Sequence, residues 1–120
     1  MRSSEFSKPK FSVRKGKNNF SITLSIGSKT IGQYEYDNRT NRHTAEVMPE
    51  YKSKGYGKLL VLKALDTANN LGFDFIEDES RTSEYDNVID SLENNGLIVR
   101  DMDQLYLTQD GLDYLNHESK

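Results

Sequence analysis

A short basic turn with two glycines carries the residue types in this chain that suit phosphate binding. Residues 47–60 read VMPEYKSKGYGKLL, and an apolar helical pattern follows the turn directly. The first N–H groups of a helix have no intrahelical partner, and the helix dipole makes that end positive. Glycines leave room for an anion there, and lysines add positive charge. The turn therefore predicts a pocket for phosphate oxygens, most simply the pyrophosphate of a nucleotide-like cofactor. Its expected lining is Lys52, Ser53, Lys54, Gly55, Tyr56, Gly57 and Lys58.

Acidic and histidine side chains that precede the turn are candidates for a general base. Glu46 lies on the predicted strand that leads into the turn, and His43 and Asp37 are close to it in sequence. Side chains alternate between the two faces of a strand, so an inward-pointing Val47 would turn Glu46 to solvent. Glu46 is therefore either a catalytic base or a solvated residue, and both interpretations stay open.

The composition excludes several other kinds of chemistry. At 120 residues the chain is long enough for one domain with a single core. It has no cysteine, which excludes disulfides, thiolate zinc sites and cysteine nucleophiles, and its two distant histidines do not suggest a metal centre. No apolar run approaches the ~20 residues of a membrane span, and no signal-peptide core is present. We expect one cytoplasmic domain over residues 1–120, with no membrane contact and a loose polar arm at 1–10.

Charge is divided unevenly along the chain. Residues 1–63 hold thirteen Lys and Arg and five acids, a balance of +8. Residues 64–120 hold three Lys and Arg and fourteen acids, a balance of −11. Either the first half faces an anionic ligand or partner, or the two halves attract one another.

Hydrophobic periodicity predicts an α+β domain. Alternation of apolar and polar residues up to position 48 predicts four strands, and the pattern after Gly57 predicts a helix that ends at Gly72. A strand at 73–76, a helix from 83 to Gly96, a hairpin and a final short helix complete the order ββββ-α-β-α-ββ-α. This order indicates a mixed, mostly antiparallel sheet with a central strand-helix-strand crossover and helices on its faces.

The basic turn resembles the pyrophosphate-binding motif of the GNAT acetyltransferase superfamily, V-x-P-x-x-(Q/R)-x-x-G-x-(G/A). Val47, Pro49, Gly55 and Gly57 match the motif, and Lys52 stands where Gln or Arg is usual. The predicted order of elements over about residues 20–107 also fits that fold.

The resemblance implies an N-acetyltransferase that moves an acetyl group from acetyl-CoA to an amine. Acetyl-CoA would lie between the strands at 43–48 and 73–77, with its pyrophosphate on the amides of residues 52–58. Its pantetheine arm would run along Val47 and Met48. Attack by the amine needs a base, and the departing thiolate needs a proton donor.

Two departures from the family pattern affect the predicted chemistry. Leu92 stands where the family usually has a tyrosine that protonates the thiolate, and Tyr85 is the candidate replacement. The helical spacing of Tyr85 with Val88, Ile89 and Leu92 favours a core position over that role. The chain also has no room for the two helices that normally follow the first strand. The acceptor side is therefore expected to be open, which suits a macromolecular acceptor such as a protein.

Two other functions remain open at this point. A GNAT-like module could bind acyl-CoA or a protein partner without catalysis, because a fold alone does not confer activity. Residues 83–115 also resemble the end of a winged-helix domain. That segment is acidic in its helix and its hairpin, which would repel DNA but not a protein partner, so a protein-binding winged helix stays open. The acidic residues are Glu84, Asp86, Asp90, Glu93, Asp101 and Asp103.

Overall fold

Alternating apolar side chains in the first part of the chain form a four-stranded antiparallel sheet. The structure is a computed structural model that describes residues 8–52, 54–76 and 83–118. Each strand pairs with the next one along the chain, in the order β1-β2-β3-β4. The four strands predicted from the alternation are therefore confirmed. They are β1 (Lys10–Lys15), β2 (Asn19–Ile26), β3 (Lys29–Asp37) and β4 (Arg42–Val47).

One face of this sheet is apolar because β2 and β3 place alternate side chains on it. Phe20 and Ile22 of β2 lie opposite Tyr36 and Tyr34 of β3, and all four are at most 2% exposed. The intervening Glu35 is exposed, as the period-two alternation of a half-buried sheet requires. The core therefore begins on this face.

Helix α1 (Tyr56–Leu71) covers the apolar face and is the central element of the core. It begins after Gly55, whose φ of +88° is accessible to glycine at little cost. It ends at Gly72, which also has positive φ and whose N–H donates to the carbonyl of Asn69. The helix is buried on most of its circumference, through Leu59, Leu60, Val61, Leu62, Ala64, Leu65, Thr67 and Ala68.

The second half of the chain packs against the remaining sides of α1. It consists of α2 (Ser83–Asn94), the hairpin of β5 (Ile98–Asp101) and β6 (Gln104–Leu107), and α3 (Gln109–Glu118). Both α2 and α3 contact α1. The described residues thus form an α+β fold with one four-stranded antiparallel sheet, one two-stranded sheet and three α-helices.

The segment that follows α1 differs from the prediction. The sequence predicts a strand at 73–76, whereas the structure has one isolated antiparallel bridge there, between Ile76 and Gln104 of β6. The amide of Leu105 donates to the carbonyl of Phe75 at 3.0 Å. One edge of the segment therefore joins the β5–β6 hairpin.

Side chains occupy the other edge of this segment, where the predicted crossover needs a backbone ladder with β4. Tyr36 Oη donates to the carbonyl of Asp74 at 2.5 Å. His43 Nε2 lies 2.5 Å from the carbonyl oxygen of Ile76. Because these carbonyls are taken by side chains, residues 73–76 do not extend the sheet. The described sheet is accordingly antiparallel throughout, rather than mixed.

The ends of the described chain contact each other. The sequence predicts a loose arm at 1–10, but Pro9 is buried and β1 begins at Lys10, while residues 1–7 lie outside the described part. Lys8 Nζ donates to the carbonyl of His117 in α3 at 3.2 Å. None of the described helices is long and apolar enough to cross a membrane.

The close contact between α3 and the turn before β5 yields a stability prediction. A Cβ atom on the buried Gly111 would overlap the carbonyl oxygen of Leu97 and lie 2.8 Å from Leu107 Cδ1. Because a backbone atom cannot move aside cheaply, Gly111→Ala should lower the free energy of unfolding by about 1–3 kcal/mol, despite alanine's better helix propensity. Urea unfolding followed by circular dichroism measures this loss.

The matched control is Gly57→Ala in α1. A Cβ atom there would lie 3.7 Å from Val88 Cγ2, which is an ordinary contact. This variant should keep or slightly raise the free energy of unfolding. Equal stability of the two variants would contradict the close packing at Gly111.

Candidate functional site

A cleft of about 590 Å³ lies beside the outer edge of β4. Its walls are β4, the 3₁₀ turn Pro49–Tyr51, the start of α1 and the start of α2. The volume falls within the range usual for small-molecule sites. Seven of the residues predicted from sequence line it, namely Glu46, Val47, Lys52, Gly55, Gly57, Lys58 and Tyr85.

The start of α1 gives one end of the cleft its hydrogen-bond donors. The amide of Leu59 donates to the Gly55 carbonyl at 3.2 Å and closes the first helical turn. The amides of Tyr56, Gly57 and Lys58 precede it, so the helix offers them no acceptor, and no described residue accepts a hydrogen bond from them. These three amides and the helix dipole favour an anion at this end.

The donor set is narrower than the sequence predicts. Pro49 begins a 3₁₀ turn, and the amide of Lys52 donates within it to the Pro49 carbonyl at 3.3 Å. The Lys52 amide is therefore not available to a ligand, although its side chain borders the cleft. Ser53 lies outside the described residues.

The remaining residues of the predicted lining face a different cavity. Lys54 and Tyr56 border a space of about 300 Å³ on the other side of the helix start, together with Lys8 and His117. Gly55 borders both cavities. The sequence predicts one pocket lined by the whole basic turn. In the structure, the residues of that turn line two cavities instead.

The outer edge of β4 provides unpaired backbone groups along the cleft. The amide of Met48 donates to the Ile31 carbonyl at 2.9 Å, so Met48 is turned toward β3. The alternation of an antiparallel ladder then turns the N–H and C=O groups of Ala45 and Val47 to the outer edge. No described strand pairs with that edge. An extended ligand could bond there as an additional strand does, along Ala45 and Val47 rather than Met48.

Glu46 is exposed and also borders the cleft. Glu46 can therefore be both solvated and a candidate base, because it is exposed to solvent where it borders the cleft. Asp37 is not among the cleft residues, and its carboxylate accepts a hydrogen bond from the Arg39 amide at 2.9 Å. Of the two carboxylates proposed as a base, Glu46 is the one that the structure places at the cleft.

Tyr85 of α2 borders the cleft and connects it to buried polar groups. It is half-buried, and its hydroxyl oxygen lies 3.5 Å from that of Tyr34. Tyr34 is fully buried, and its hydroxyl lies 2.6 Å from His43 Nδ1. Leu92, which stands in the position of the family's tyrosine, is fully buried in the core. Of the residues at positions 85 and 92 of α2, therefore, only Tyr85 has a hydroxyl, and Tyr85 lines the cleft.

The hydrogen bonds of His43 define the tautomer of its neutral ring. The carbonyl of Ile76 can only accept, so the adjacent Nε2 of His43 carries the hydrogen. Nδ1 is then an acceptor, and the hydroxyl of Tyr34 donates to it. The sequence offers His43 as a possible base, but it gives no sign of Tyr34, which reads as an apolar core residue in β3.

The neighbouring Tyr36 has a structural role. Burial, the largest effect, raises the pKa of its hydroxyl, which therefore stays a neutral donor to the carbonyl of Asp74. Its hydroxyl also lies 3.3 Å from the side-chain oxygen of Asn41. It does not border the cleft.

The surface of α2 is acidic, and Arg100, a basic residue beside it, already forms ion pairs with two of these acids. Arg100 of β5 lies 3.6 Å from both Asp90 and Glu93. At the mouth of the cleft, Glu84 lies 3.8 Å from Lys52 Nζ. This distribution gives a nucleic-acid backbone little to bind on α2 or the hairpin. Among the described residues, no group of three or more His, Cys, Asp or Glu side chains is placed to hold a metal ion.

No protein-family model matches this chain, and no curated protein is similar to it in sequence. The functional argument therefore rests on the cleft itself, which combines a helix start that favours anions, an open strand edge and the side chain of Tyr85.

The ion pair at the cleft mouth yields a binding prediction. Both side chains are more than half exposed, so the Lys52–Glu84 pair is weak, and an anion can displace Glu84. Removing this negative charge by Glu84→Gln should tighten the binding of inorganic pyrophosphate about two- to fivefold at low salt. Isothermal titration calorimetry measures the change, which should shrink at high ionic strength.

The matched control is Asp90→Asn, which removes the same charge from α2 at a residue paired with Arg100 instead. It should leave pyrophosphate affinity unchanged. Equal effects of the two variants would show that only the overall charge matters.

Proposed function

We propose that this protein is a cytoplasmic N-acetyltransferase that moves an acetyl group from acetyl-CoA to an amine on a macromolecular acceptor. The observation that carries the proposal is the cleft, because its features lie in the order that such a reaction needs. Anion donors occupy one end, open backbone groups follow along β4, and Tyr85 of α2 also lines the cleft.

The pyrophosphate of acetyl-CoA would be held by the amides of Tyr56, Gly57 and Lys58. The side chains of Lys58 and Lys52, which border the cleft, would balance its charge. The outer edge of β4 would bond the pantetheine arm through Ala45 and Val47. Acetyl-CoA itself supplies the activated acetyl thioester.

The residues of the cleft also suit the proton transfers of the reaction. An acceptor ammonium must lose a proton before it can attack, and the exposed carboxylate of Glu46 could attract the ammonium and take that proton. The departing thiolate must gain a proton, and Tyr85, which lines the same cleft, carries a hydroxyl that could supply it. We therefore assign Glu46 as base and Tyr85 as acid.

The outer face of the sheet favours a large acceptor. No described helix covers it, and it presents polar and charged side chains such as Gln33 and Glu35 to solvent. A macromolecule can approach the cleft from this open side. The exposed carboxylate of Glu84, which borders the cleft, would favour a basic segment of a protein.

A binding module without catalysis is the second candidate function. The buried Leu92 favours it, because the position of the family's proton donor is occupied by a core residue. Incubation with labelled acetyl-CoA and candidate basic proteins separates the two functions. Label transferred to a protein supports the enzyme, whereas tight CoA binding without transfer supports the module.

Gly57 offers a direct test of cofactor binding. It lies at the cleft without positive φ, so a side chain is accepted without backbone strain, in contrast to Gly55 with its φ of +88°. Gly57→Asp places a carboxylate beside the pyrophosphate and should weaken CoA binding at least tenfold, about 1.4 kcal/mol. The same carboxylate favours the helix N-terminus, so the melting temperature should not fall. Calorimetric titration with CoA and thermal unfolding measure the two effects.

Gly57→Ala is the control for this experiment. It adds a Cβ without charge and should bind CoA within about threefold of the unchanged protein, since that atom makes only an ordinary contact with Val88. Unchanged CoA affinity in the aspartate variant would refute the assignment of the pyrophosphate site.

A further inference from the structure

We propose that the outer surface of the β5–β6 hairpin is a docking site for a segment of another protein that carries both basic and apolar side chains. The site consists of three exposed apolar side chains with exposed carboxylates beside them. It lies outside the cleft, and its binding needs neither acetyl-CoA nor acetyl transfer. The apolar residues are Val99, Met102 and Tyr106, and the acidic ones are Asp74, Asp101 and Asp103.

The apolar part of this docking site is distinguished by its exposure. Met102, Val99 and Tyr106 are 91, 50 and 46% exposed, more than any other large apolar side chain in the part of the chain that the structure describes. Val99 of β5 lies directly opposite Tyr106 of β6, and Met102 is in the turn that joins the two strands. Tyrosine and methionine are enriched in the centres of protein interfaces. Three exposed apolar side chains on one hairpin therefore indicate a surface that a partner covers.

The carboxylates of the docking site are not neutralised by basic side chains. Asp101 is on the same face of β5 as Val99, because the two are two positions apart. Asp103 is in the turn, and Asp74 accepts a hydrogen bond from Gln104 of β6 at 3.4 Å. All three carboxylates are exposed, and none forms an ion pair with a described basic residue. They therefore favour a partner with Lys or Arg side chains.

The opposite face of the hairpin is covered by the protein itself. Ile98 and Leu105 are buried in the core on that face. Arg100 lies on the same side of β5, 3.6 Å from both Asp90 and Glu93 of α2. On this face the chain supplies its own apolar contacts and its own opposite charge. On the outer surface both are left for a partner to supply.

The backbone of Met102 gives a second reason to expect a partner. Its φ is +60°, in the left-handed region that favours glycine or asparagine. Two-residue hairpin turns usually carry those residue types at such positions. A methionine there strains the backbone, and its nearly complete exposure means that the side chain gains little from burial within this chain. A partner that covers Met102 would provide the missing contacts.

A segment of a different protein fits this surface better than a nucleic acid, a lipid surface or a second copy does. The carboxylates repel the phosphates of nucleic acids and anionic lipids. In a second copy, residues 8–17 hold five Lys and Arg and no acid, so that copy could supply the positive charge. However, Phe11 and Val13 of that segment are half-buried against its own core. The second copy would therefore bring charge without an exposed apolar group to contact Met102 and Tyr106.

Selection from a random peptide library displayed on phage tests the chemistry of the partner. Peptides that bind the unchanged protein should be enriched in Lys or Arg together with apolar or aromatic residues. One selected peptide is then synthesised with a control peptide whose basic residues are replaced by glutamine. Fluorescence anisotropy should show that the control peptide binds about tenfold more weakly at low salt. A selection that enriches no peptide, or only acidic ones, would overturn the proposal.

Met102→Gly is the most direct variant, because glycine suits the positive φ and keeps the turn. Its melting temperature should equal or exceed that of the unchanged protein, while its affinity for the selected peptide should fall about tenfold. Tyr106→Thr keeps a residue type that favours strands and should lose affinity to a similar extent. Full peptide affinity in both variants would contradict the docking site.

Asp90→Asn is the matched control for charge, because its carboxylate pairs with Arg100 on the opposite side of the hairpin. It should leave peptide affinity unchanged, whereas Asp101→Asn should weaken binding about two- to fivefold at low salt. Loss of binding in Glu84→Gln but not in Asp101→Asn would place the peptide in the cleft instead and refute the proposal.

Sedimentation velocity of the unchanged protein tests the second copy as occupant. The protein should stay monomeric, and self-association that Met102→Gly abolishes would assign the surface to a second copy and overturn the proposal. None of these measurements uses CoA. A protein that fails to bind or transfer from acetyl-CoA therefore refutes the proposed function alone, and loss of the docking site leaves that function untouched.

Discussion

Two side-chain hydrogen bonds, from Tyr36 and His43, determine how the two halves of this protein meet. They hold the carbonyls of Asp74 and Ile76 where a neighbouring strand would otherwise bond, and the hairpin takes the carbonyl between them. The segment after α1 is thus fixed on both edges without becoming part of the four-stranded sheet. If a backbone ladder closed this gap instead, His43 and Tyr34 would lose the space in which their polar groups meet.

The cleft depends on the same arrangement. Its wall on the sheet side is the open edge of β4, and its opposite wall is the beginning of α2, which contributes Tyr85. The 3₁₀ turn at Pro49 and the left-handed Gly55 then direct the start of α1 toward the space between those walls. The start of α1, the edge of β4 and Tyr85 are therefore brought to one cleft by local turns and by a few side-chain bonds over long sequence distances.

Features that depend on neighbouring residues could be predicted from sequence, and features that depend on distant partners could not. The four strands follow from the alternation in β1 to β4, and α1 follows from its apolar pattern between Gly55 and Gly72. Most residues of the basic turn that line the cleft could likewise be predicted from the sequence. The 3₁₀ turn, however, removes the Lys52 amide from the predicted donors.

The prediction of a strand at 73–76 is wrong because the side chains of Tyr36 and His43 bond the backbone carbonyls of this segment. Both residues lie more than thirty positions earlier in the chain, so their contacts could not be read from the local sequence. Tyr34 was missed for a related reason. Its position in the alternation of β3 suits the core, but only the fold shows that its hydroxyl contacts His43 and Tyr85. A buried tyrosine whose hydroxyl must find a partner is the one signal that could have drawn attention to it.

The open edge of β4 has a consequence for how the protein persists in a cell. Strand edges with unpaired backbone groups invite pairing with other chains, and the described residues leave this edge without a neighbouring strand. Any ligand or segment that pairs with the outer edge of β4 would cover these backbone groups. An occupied edge would then associate with other chains less readily than an empty one.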